Sequence, residues 1–352
     1  MPATDIPLAC PRCWAAVRLD GAAYLCVSCA STYPVLFGIP DFRLRSDRYL
    51  SLEQERDKAR RLHEYGQRHT FDEMVAYYYS ITDDVPPALV RRYQAYIQNA
   101  PRQAATAADA LELDPSASVV LDAGCGAGGF LIVAARRCRA LAGTDIALRW
   151  LVICKKRLEE NNVEAMLICA DVESLPFPEG TFTHVAAGDL IEHVYHVEIA
   201  IAAMSRQLVP GGRLWLAASN RYCIGPQPST RIWGIGFLPH YLRTALLLKL
   251  RGVDSLRFFN LVSPLQLSRI CRSIGFCLLS LCPRQIPDNA AENYPLLDRL
   301  LIKVYRFAAR MRPLRFLLVL IGPAFEMLLQ KPGTLQGNPA SAASLLEGRA
   351  GR

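Results

Sequence analysis

The hydrophobic and polar positions of this chain change their rhythm at two points. From Leu44 to about Leu113 the sequence is rich in Arg, Glu, Ala and Tyr, poor in strand formers, and broken at Gly66, Pro86-Pro87 and Pro101. That pattern predicts three or four helices. After Asp114-Pro115 short apolar runs alternate with longer helical stretches, which predicts a parallel sheet flanked by helices. Strands are expected at Ser118–Leu121, Leu141–Thr144, Ala165–Cys169, His184–Ala187, Arg213–Ala218, Phe276–Leu281 and Phe325–Leu329. Helices are expected at Phe130–Cys138, Ala147–Glu160, Val197–Leu208 and Pro264–Ile274. The division that follows is 1–42, a helical segment 43–113, a core 114–331 with insertions at 220–263 and 283–323, and a disordered tail 332–352 rich in Gly, Ala and Ser.

Composition narrows the class. The chain has 352 residues, half of them apolar, and a net charge of +8 that permits anionic partners without demanding them. The N-terminus lacks the basic start and apolar stretch of a secretory signal. Its longest uncharged apolar run, Phe316 to Phe325, is broken by Gly322 and Pro323 and is too short to span a bilayer, which needs roughly 18 residues. A cytoplasmic protein is the expectation. Of twelve cysteines, eight are scattered singly in apolar contexts and read as core thiols in a reducing compartment.

The other four form two knuckles, Cys10-Pro-Arg-Cys13 and Cys26-Val-Ser-Cys29, twelve residues apart. Two such knuckles place four thiolates around one tetrahedral Zn2+ and leave no open position, so the site is expected to be structural. The segment that follows contains Tyr33-Pro-Val-Leu-Phe-Gly-Ile-Pro40. It resembles the ending of the small zinc-ribbon proteins that activate tRNA and protein methyltransferases, and a similar ribbon begins the large-subunit rRNA guanine methyltransferases. The resemblance covers the first 42 residues.

The stretch Leu121-Asp-Ala-Gly-Cys-Gly-Ala-Gly-Gly-Phe130 fits two kinds of nucleotide loop. Gly124, Gly126 and Gly129 satisfy the G-x-G-x-x-G of dinucleotide sites, and Gly124, Gly126 and Gly128 satisfy the G-x-G-x-G of S-adenosylmethionine sites. Asp145 in Gly143-Thr-Asp145 does not separate them, since both cofactors carry a ribose whose hydroxyls a carboxylate can accept; it can also cap a helix. Further blocks follow in order: Ala170-Asp171, Leu175-Pro-Phe-Pro-Glu-Gly-Thr-Phe182, Asp189-Leu-Ile-Glu-His-Val194 and Leu208-Val-Pro-Gly-Gly212.

Together these blocks resemble the class I S-adenosylmethionine-dependent methyltransferases over roughly Val119 to Leu281, and look most like the branch containing the quinone-biosynthesis enzymes. The resemblance implies a Rossmann-like seven-stranded core, here with an N-terminal zinc ribbon and helical additions. It implies a cofactor site made by Asp122, Gly124, Gly126, Gly128, Asp145, Asp171, Val172 and Asp189. Asp171 would meet the adenine amino group and the Val172 N–H a ring nitrogen; Asp122 would suit a cationic sulfonium better than a pyrophosphate. Asp122 as a turn residue and Asp171 as a helix cap stay open. His193 is the candidate base because imidazole titrates near neutrality, with ordering of the pocket as its other role. The family commonly has Asp after Phe182, where this chain has Thr183-His184.

Charge is concentrated late. From Arg243 to Arg315 there are thirteen basic and four acidic residues, and Lys303, Arg306 and Arg310 recur at helical spacing beside Leu301, Val304, Tyr305 and Phe307. Such a helix can lie on an anionic membrane, grip a phosphate backbone, or face solvent. The adjoining apolar stretch Arg315 to Ile321 favours a small-molecule or lipid-linked methyl acceptor, with membrane-surface contact through 300–321. RNA base methylation is the second reading, and a non-catalytic scaffold with a degenerate site the third.

Overall fold

The computed structural model describes residues 6–82, 85–252, 254, 256–287, 294 and 296–333. Most of the expected tail lies outside them. The chain begins with four short antiparallel strands, β1 (Val17–Asp20), β2 (Ala23–Cys26), β3 (Thr32–Leu36) and β4 (Ile39–Pro40), paired in sequence order. Three helices follow: α1 (Leu52–Gly66), α2 (Phe71–Ser80) and α3 (Val90–Leu111). Ser51 with Gln54, and Thr70 with Glu73, close reciprocal capping boxes at the starts of α1 and α2.

The core then alternates β5 (Val119–Ala123), α4 (Gly129–Ala134), β6 (Ala140–Asp145), α5 (Leu148–Glu160), β7 (Met166–Cys169), β8 (Phe182–Gly188), α6 (Val197–Gln207) and β9 (Leu208–Ser219). After it come α7 (His240–Arg251), α8 (Pro264–Ser273), β10 (Cys277–Pro283), the helical pair α9 (Leu296–Arg310) and α10 (Arg312–Ile321), and β11 (Ala324–Gln330). One seven-stranded sheet has the order β10-β11-β9-β8-β5-β6-β7, parallel except for β11, which runs against both neighbours. The predicted sheet is therefore the observed one. Some edges differ: the helix expected to reach Cys138 ends at Ala134, and β9 begins at Leu208, where a helix end was expected.

Alternation along the strands sends side chains to two cores. Leu121 and Ala123, Val185 and Ala187, and Leu214 and Leu216 face one side; Val120, Ala186, Trp215 and Ala217 face the other. The first side packs on α6, α8 and the cysteine-bearing strands, through Cys10, Tyr33 and Phe42. The second is covered by α1 to α5. At the family's usual Asp position Thr183 sits in a register shift of β8, and its Oγ1 donates to Val119 O at 3.0 Å and accepts from Val119 N at 2.9 Å. The shift is against β9, while the hydroxyl ties the start of β5 to β8 on the opposite side.

Two sequence expectations need correction. In the sequence Arg56, Lys58, Arg60 and Arg61 alternate with Glu53, Glu55, Asp57 and Glu64, a pattern that predicts a solvated helix face, yet Glu55 is buried: it accepts from Arg149 N at 2.8 Å and pairs with the Arg149 guanidinium, which also holds Asp47 at 2.8 Å. Among the single cysteines taken as core, Cys277 is exposed and Cys138 half-buried. The buried Arg149 triad fastens the helical segment to the start of α5. Removing one partner strands the others without compensation, at a cost of about 3–5 kcal/mol. Arg149→Met is expected to lower the unfolding free energy by about that amount in urea denaturation.

Candidate cofactor and acceptor site

In an open parallel sheet the crevice at the carboxyl ends of the strands opens where the strand order reverses. Here that point lies between β5 and β8, and a cavity of about 1260 Å³ occupies it. Ligand pockets typically measure about 300–1000 Å³, so this one has room for two ligands side by side. The loop after β5 forms its floor. Gly124 N and Cys125 N both donate to Thr144 O, at 2.7 and 2.9 Å, and Gly126 N donates to Asp145 Oδ2 at 2.9 Å. Gly128 has φ 78°, and a Cβ there would lie 2.6 Å from Cys154 Sγ, so backbone conformation and packing both require glycine. Gly129 abuts Ala100 of α3; a Cβ would sit 2.5 Å from the Ala100 methyl.

Three carboxylates ring this end. Asp122, at the end of β5, is 5% exposed; burial first and the charge of Asp145 second push its pKa up to about 8. Burial also raises Asp145, to about 6, against the pull of the Ala147 and Gly126 amides that its two oxygens accept. Asp171 is raised by burial and held back by the Glu173 amide and by Arg45, whose guanidinium reaches its Oδ2 at 2.6 Å. Arg45 also bonds Glu173 at 2.8 Å and stacks 3.9 Å above the Tyr195 ring. Of the predicted cofactor residues, Asp122, Gly124, Gly126, Asp145, Asp171, Val172 and Asp189 line the cavity; Gly128 stands behind it as a packing position.

The middle of the cavity centres on Asp189, which holds a left-handed φ of 54° at the end of β8. Its two oxygens accept from Tyr96 Oη on α3 and from Arg284 Nη1 just after β10. Burial works to raise Asp189, but the guanidinium of Arg284 holds it below the usual carboxylate range. His193 turns its ring to the cavity, which gives it accessible surface while protein encloses it on the other sides. That enclosure lowers its pKa to about 4 against the opposing charge of Asp189, and its Nδ1 shares a 2.8 Å hydrogen bond with Tyr49 Oη. Glu192 is buried and raised to about 7; one oxygen accepts from Ser219 N at 2.5 Å and Oε2 has no partner among the described residues. Tyr96, Arg284, Tyr49 and Arg45 escaped sequence reasoning because each lies on an element remote from the motif it touches.

Outside the cavity lining, the four knuckle sulfurs all lie within 4.8 Å of one another, with Cys13–Cys26 at 3.4 Å and Cys10–Cys29 at 3.7 Å. A tetrahedron with Zn–S bonds of about 2.3 Å has edges of about 3.8 Å, so the donor set fits a metal of that kind. Ser28 N and Cys29 N both point at Cys26 Sγ at 3.4 Å.

Comparison with known proteins agrees with this architecture. Residues 121–216 match the family model described as a methyltransferase domain. The demethylmenaquinone methyltransferase of Thermus thermophilus is 30% identical over 106 residues, 30% of this chain and 48% of that protein. The ubiquinone biosynthesis O-methyltransferase of an Azoarcus species is 27% identical over 164 residues, 46% of this chain and 65% of that one. The chain thus spans about half to two thirds of the length of these relatives. A solved geranyl diphosphate C-methyltransferase from Streptomyces coelicolor A3(2) overlays 65% of this chain and 75% of its own at 16% identity, with a TM-score of 0.45. The matched stretch runs from the glycine loop into β9, and over residues 121–216 the chain is similar to the methyltransferase domain of these quinone-biosynthesis enzymes.

Proposed function

We propose that this protein transfers a methyl group from S-adenosylmethionine to a small-molecule or lipid-linked acceptor. The observation that carries the reading is one continuous cavity with buried carboxylates around a glycine loop at one end and apolar helix faces at the other. The cofactor supplies a methyl group already activated on a sulfonium, so the chain's task is to align the two ligands and exclude water. In this reading Asp145 fixes the loop through Gly126 N and receives the ribose, while Asp171 and Val172 N border the adenine. Asp122, whose carboxylate is raised by burial, gains a counter-ion when a cationic ligand binds. His193, neutral at physiological pH, is placed to accept a proton, and the charge of Asp189 favours that step. Cys10, Cys13, Cys26 and Cys29 hold a structural Zn2+.

The acceptor side is roofed by α9 and α10, whose Leu301, Tyr305, Ala308 and Leu318 line the cavity. Their outer faces expose Leu296, Leu297, Leu300, Phe307 and Phe316 among Arg299, Lys303, Arg310, Arg312 and Arg315. Asp298, the only acid in the pair, is buried. Bases alone fit RNA as well as lipid, but exposed leucine and phenylalanine between them fit a bilayer surface. No helix among the described residues is long and apolar enough to cross a membrane, so contact would be peripheral.

Calorimetric titration tests the cofactor reading. S-adenosylmethionine and S-adenosylhomocysteine are expected to bind the wild type at one site, and Asp145→Ala to weaken both by roughly 10- to 100-fold, the worth of charge-assisted hydrogen bonds. Asp122 is protonated below its pKa of about 8 and gives a cation no partner there. The affinity ratio of the sulfonium to the thioether should therefore climb between pH 6 and 8, by at most about tenfold per unit, then level off; in Asp122→Asn it should stay flat. Both ligands share the same α-amino group, so its titration cancels in the ratio. Absence of binding to the wild type would leave only the scaffold reading.

For the metal, elemental analysis is expected to find one zinc per chain, lost in Cys13→Ser. For the acceptor side, flotation with vesicles containing phosphatidylglycerol should carry the protein upward, less so with phosphatidylcholine alone or at high salt. Leu300→Glu/Phe307→Glu should stay at the bottom. Binding of RNA with no flotation would reverse the ranking of acceptors.

A further inference from the structure

The end of the cavity away from the glycine loop carries an arrangement that methyl transfer to an uncharged acceptor does not use. Asp298 of α9, itself buried, faces two guanidiniums: Arg231 Nη2 at 2.6 Å and Arg92 Nε at 3.6 Å. The second distance is beyond hydrogen-bond length, and Arg92 Nε is buried with no acceptor among the described residues. Arg92 is otherwise held by Pro228 O, 3.2 Å from Nη1. A third guanidinium, Arg251, is anchored to the neighbouring Thr230 O at 3.1 Å. Two guanidiniums, Arg92 and Arg231, thus face one carboxylate on the cavity wall among the described residues, with Arg251 behind them. Other acids on these walls have partners of their own: Asp254 accepts from Thr244 Oγ1 at 2.7 Å, Glu326 from Gln285 N at 3.0 Å, and Asp189 from Arg284 and Tyr96.

A structural ion pair needs one guanidinium for one carboxylate, because each extra buried charge costs desolvation that nothing returns. The surplus of one positive charge over this carboxylate, and an Arg92 Nε with no acceptor among the described residues, are explained if an anion completes the set. Arginine's planar fork suits phosphoryl oxygens, and two forks on one wall can share the several oxygens of a phosphoryl group. We propose that Arg92 and Arg231 form a subsite for a phosphoryl group carried by the methyl acceptor. This rests on the methyl-transfer reading above and names its substrate class: a phosphorylated molecule whose reacting atom lies nearer the cofactor.

The helix α3 sets the spacing. Arg92, Tyr96 and Ala100 succeed one another at four-residue intervals on the face that lines the cavity. Ala100 touches Gly129 beside the glycine loop, and Tyr96 bonds Asp189. With a rise of 1.5 Å per residue, Arg92 lies about 6 Å along the helix from Tyr96 and about 12 Å from Ala100. A phosphoryl group at Arg92 therefore leaves the rest of the acceptor to pass Asp189 before it reaches the cofactor. The cavity is electrically polar along this line, with carboxylates where a sulfonium would sit and guanidiniums where a phosphate would.

The test is titration of inorganic pyrophosphate into the full chain, with S-adenosylhomocysteine titrated separately. Pyrophosphate is expected to bind at a single saturable site, at least tenfold more tightly than acetate. Arg231→Gln and Arg92→Gln should each weaken it at least tenfold while leaving S-adenosylhomocysteine affinity unchanged. Asp298→Asn, which removes the competing carboxylate, should tighten it, a change that a merely unfolded variant cannot produce. Pyrophosphate binding that is absent, matched by acetate, or indifferent to all three substitutions would overturn the subsite. Failure of S-adenosylhomocysteine to bind the wild type would instead remove the methyl-transfer reading, and the pyrophosphate result would still decide the anion site.

Discussion

The cavity exists because α3 is clamped across the glycine loop, and the clamp is a single buried arginine. Pro101 has no N–H, so the carbonyl of Ile97 one turn earlier loses its helical donor. Arg157 supplies the replacement: Nη2 donates to Ile97 O at 2.6 Å, and Nη1 reaches Ala127 O in the loop at 3.0 Å. Its guanidinium also stacks 3.9 Å from the Phe71 ring of α2. Burial lowers its pKa to about 10, still far above neutrality, so the charge and the donors persist. With α3 held there, Ala100 meets Gly129, and the next turns of the helix become the wall that carries Tyr96 and Arg92. One unpaired carbonyl thus ties the helical segment to the loop and fixes where the acceptor half of the cavity lies.

Electrostatics then divides the space that this clamp encloses. Burial raises Asp122 and Asp145 at the loop, so in the empty protein both are partly relieved of charge and both gain from an incoming cation. Asp189, in the middle, is balanced by Arg284 and stays ionised, which leaves it able to raise the proton affinity of His193. Asp122, with no guanidinium bonded to it, is raised, whereas Asp189, bonded by Arg284, is lowered. The distribution favours a ligand that is positive at one end of the cavity over one that is anionic throughout, which is the physical basis for preferring a sulfonium to a pyrophosphate at the loop.

The core was legible because its signals are local. A strand covered on both faces is apolar along its buried length, as Val119 to Leu121 is, and the loop glycines are dictated by contacts within a few residues or with the adjacent helix. The carboxylates at strand ends follow from the same repeat. What remained hidden came from chain separation. Tyr96 and Arg284 meet Asp189 from 93 and 95 residues away, on a helix and a loop with no periodic mark to single them out. Glu55 looked solvated because its charged neighbours are, and only the approach of Arg149, 94 residues later, buries it. The charged half of the cavity was equally unreadable, since Arg92, Arg231 and Asp298 come from three separate segments.

The N-terminal strands are not a separate appendage, because their chain exits directly into the cofactor end of the crevice. Cys10 Sγ lies 3.0 Å from Tyr33 Oη, Tyr33 stacks on Phe42 with ring centroids 4.7 Å apart, and Phe42 N donates to Cys169 O at the end of β7 at 2.8 Å. One residue further on, Arg43 bonds Asp41 and Ile146 O; two beyond that, Arg45 grips Asp171 and Glu173. Asp41 itself bridges to Cys169, extending the edge of the seven-stranded sheet. The four sulfurs therefore anchor the segment that positions the side chain beside Asp171. A metal held by these sulfurs would act on the crevice through packing alone: it would fix where Phe42 sits, hence where Arg45 can reach, hence how much of the Asp171 carboxylate faces the cavity.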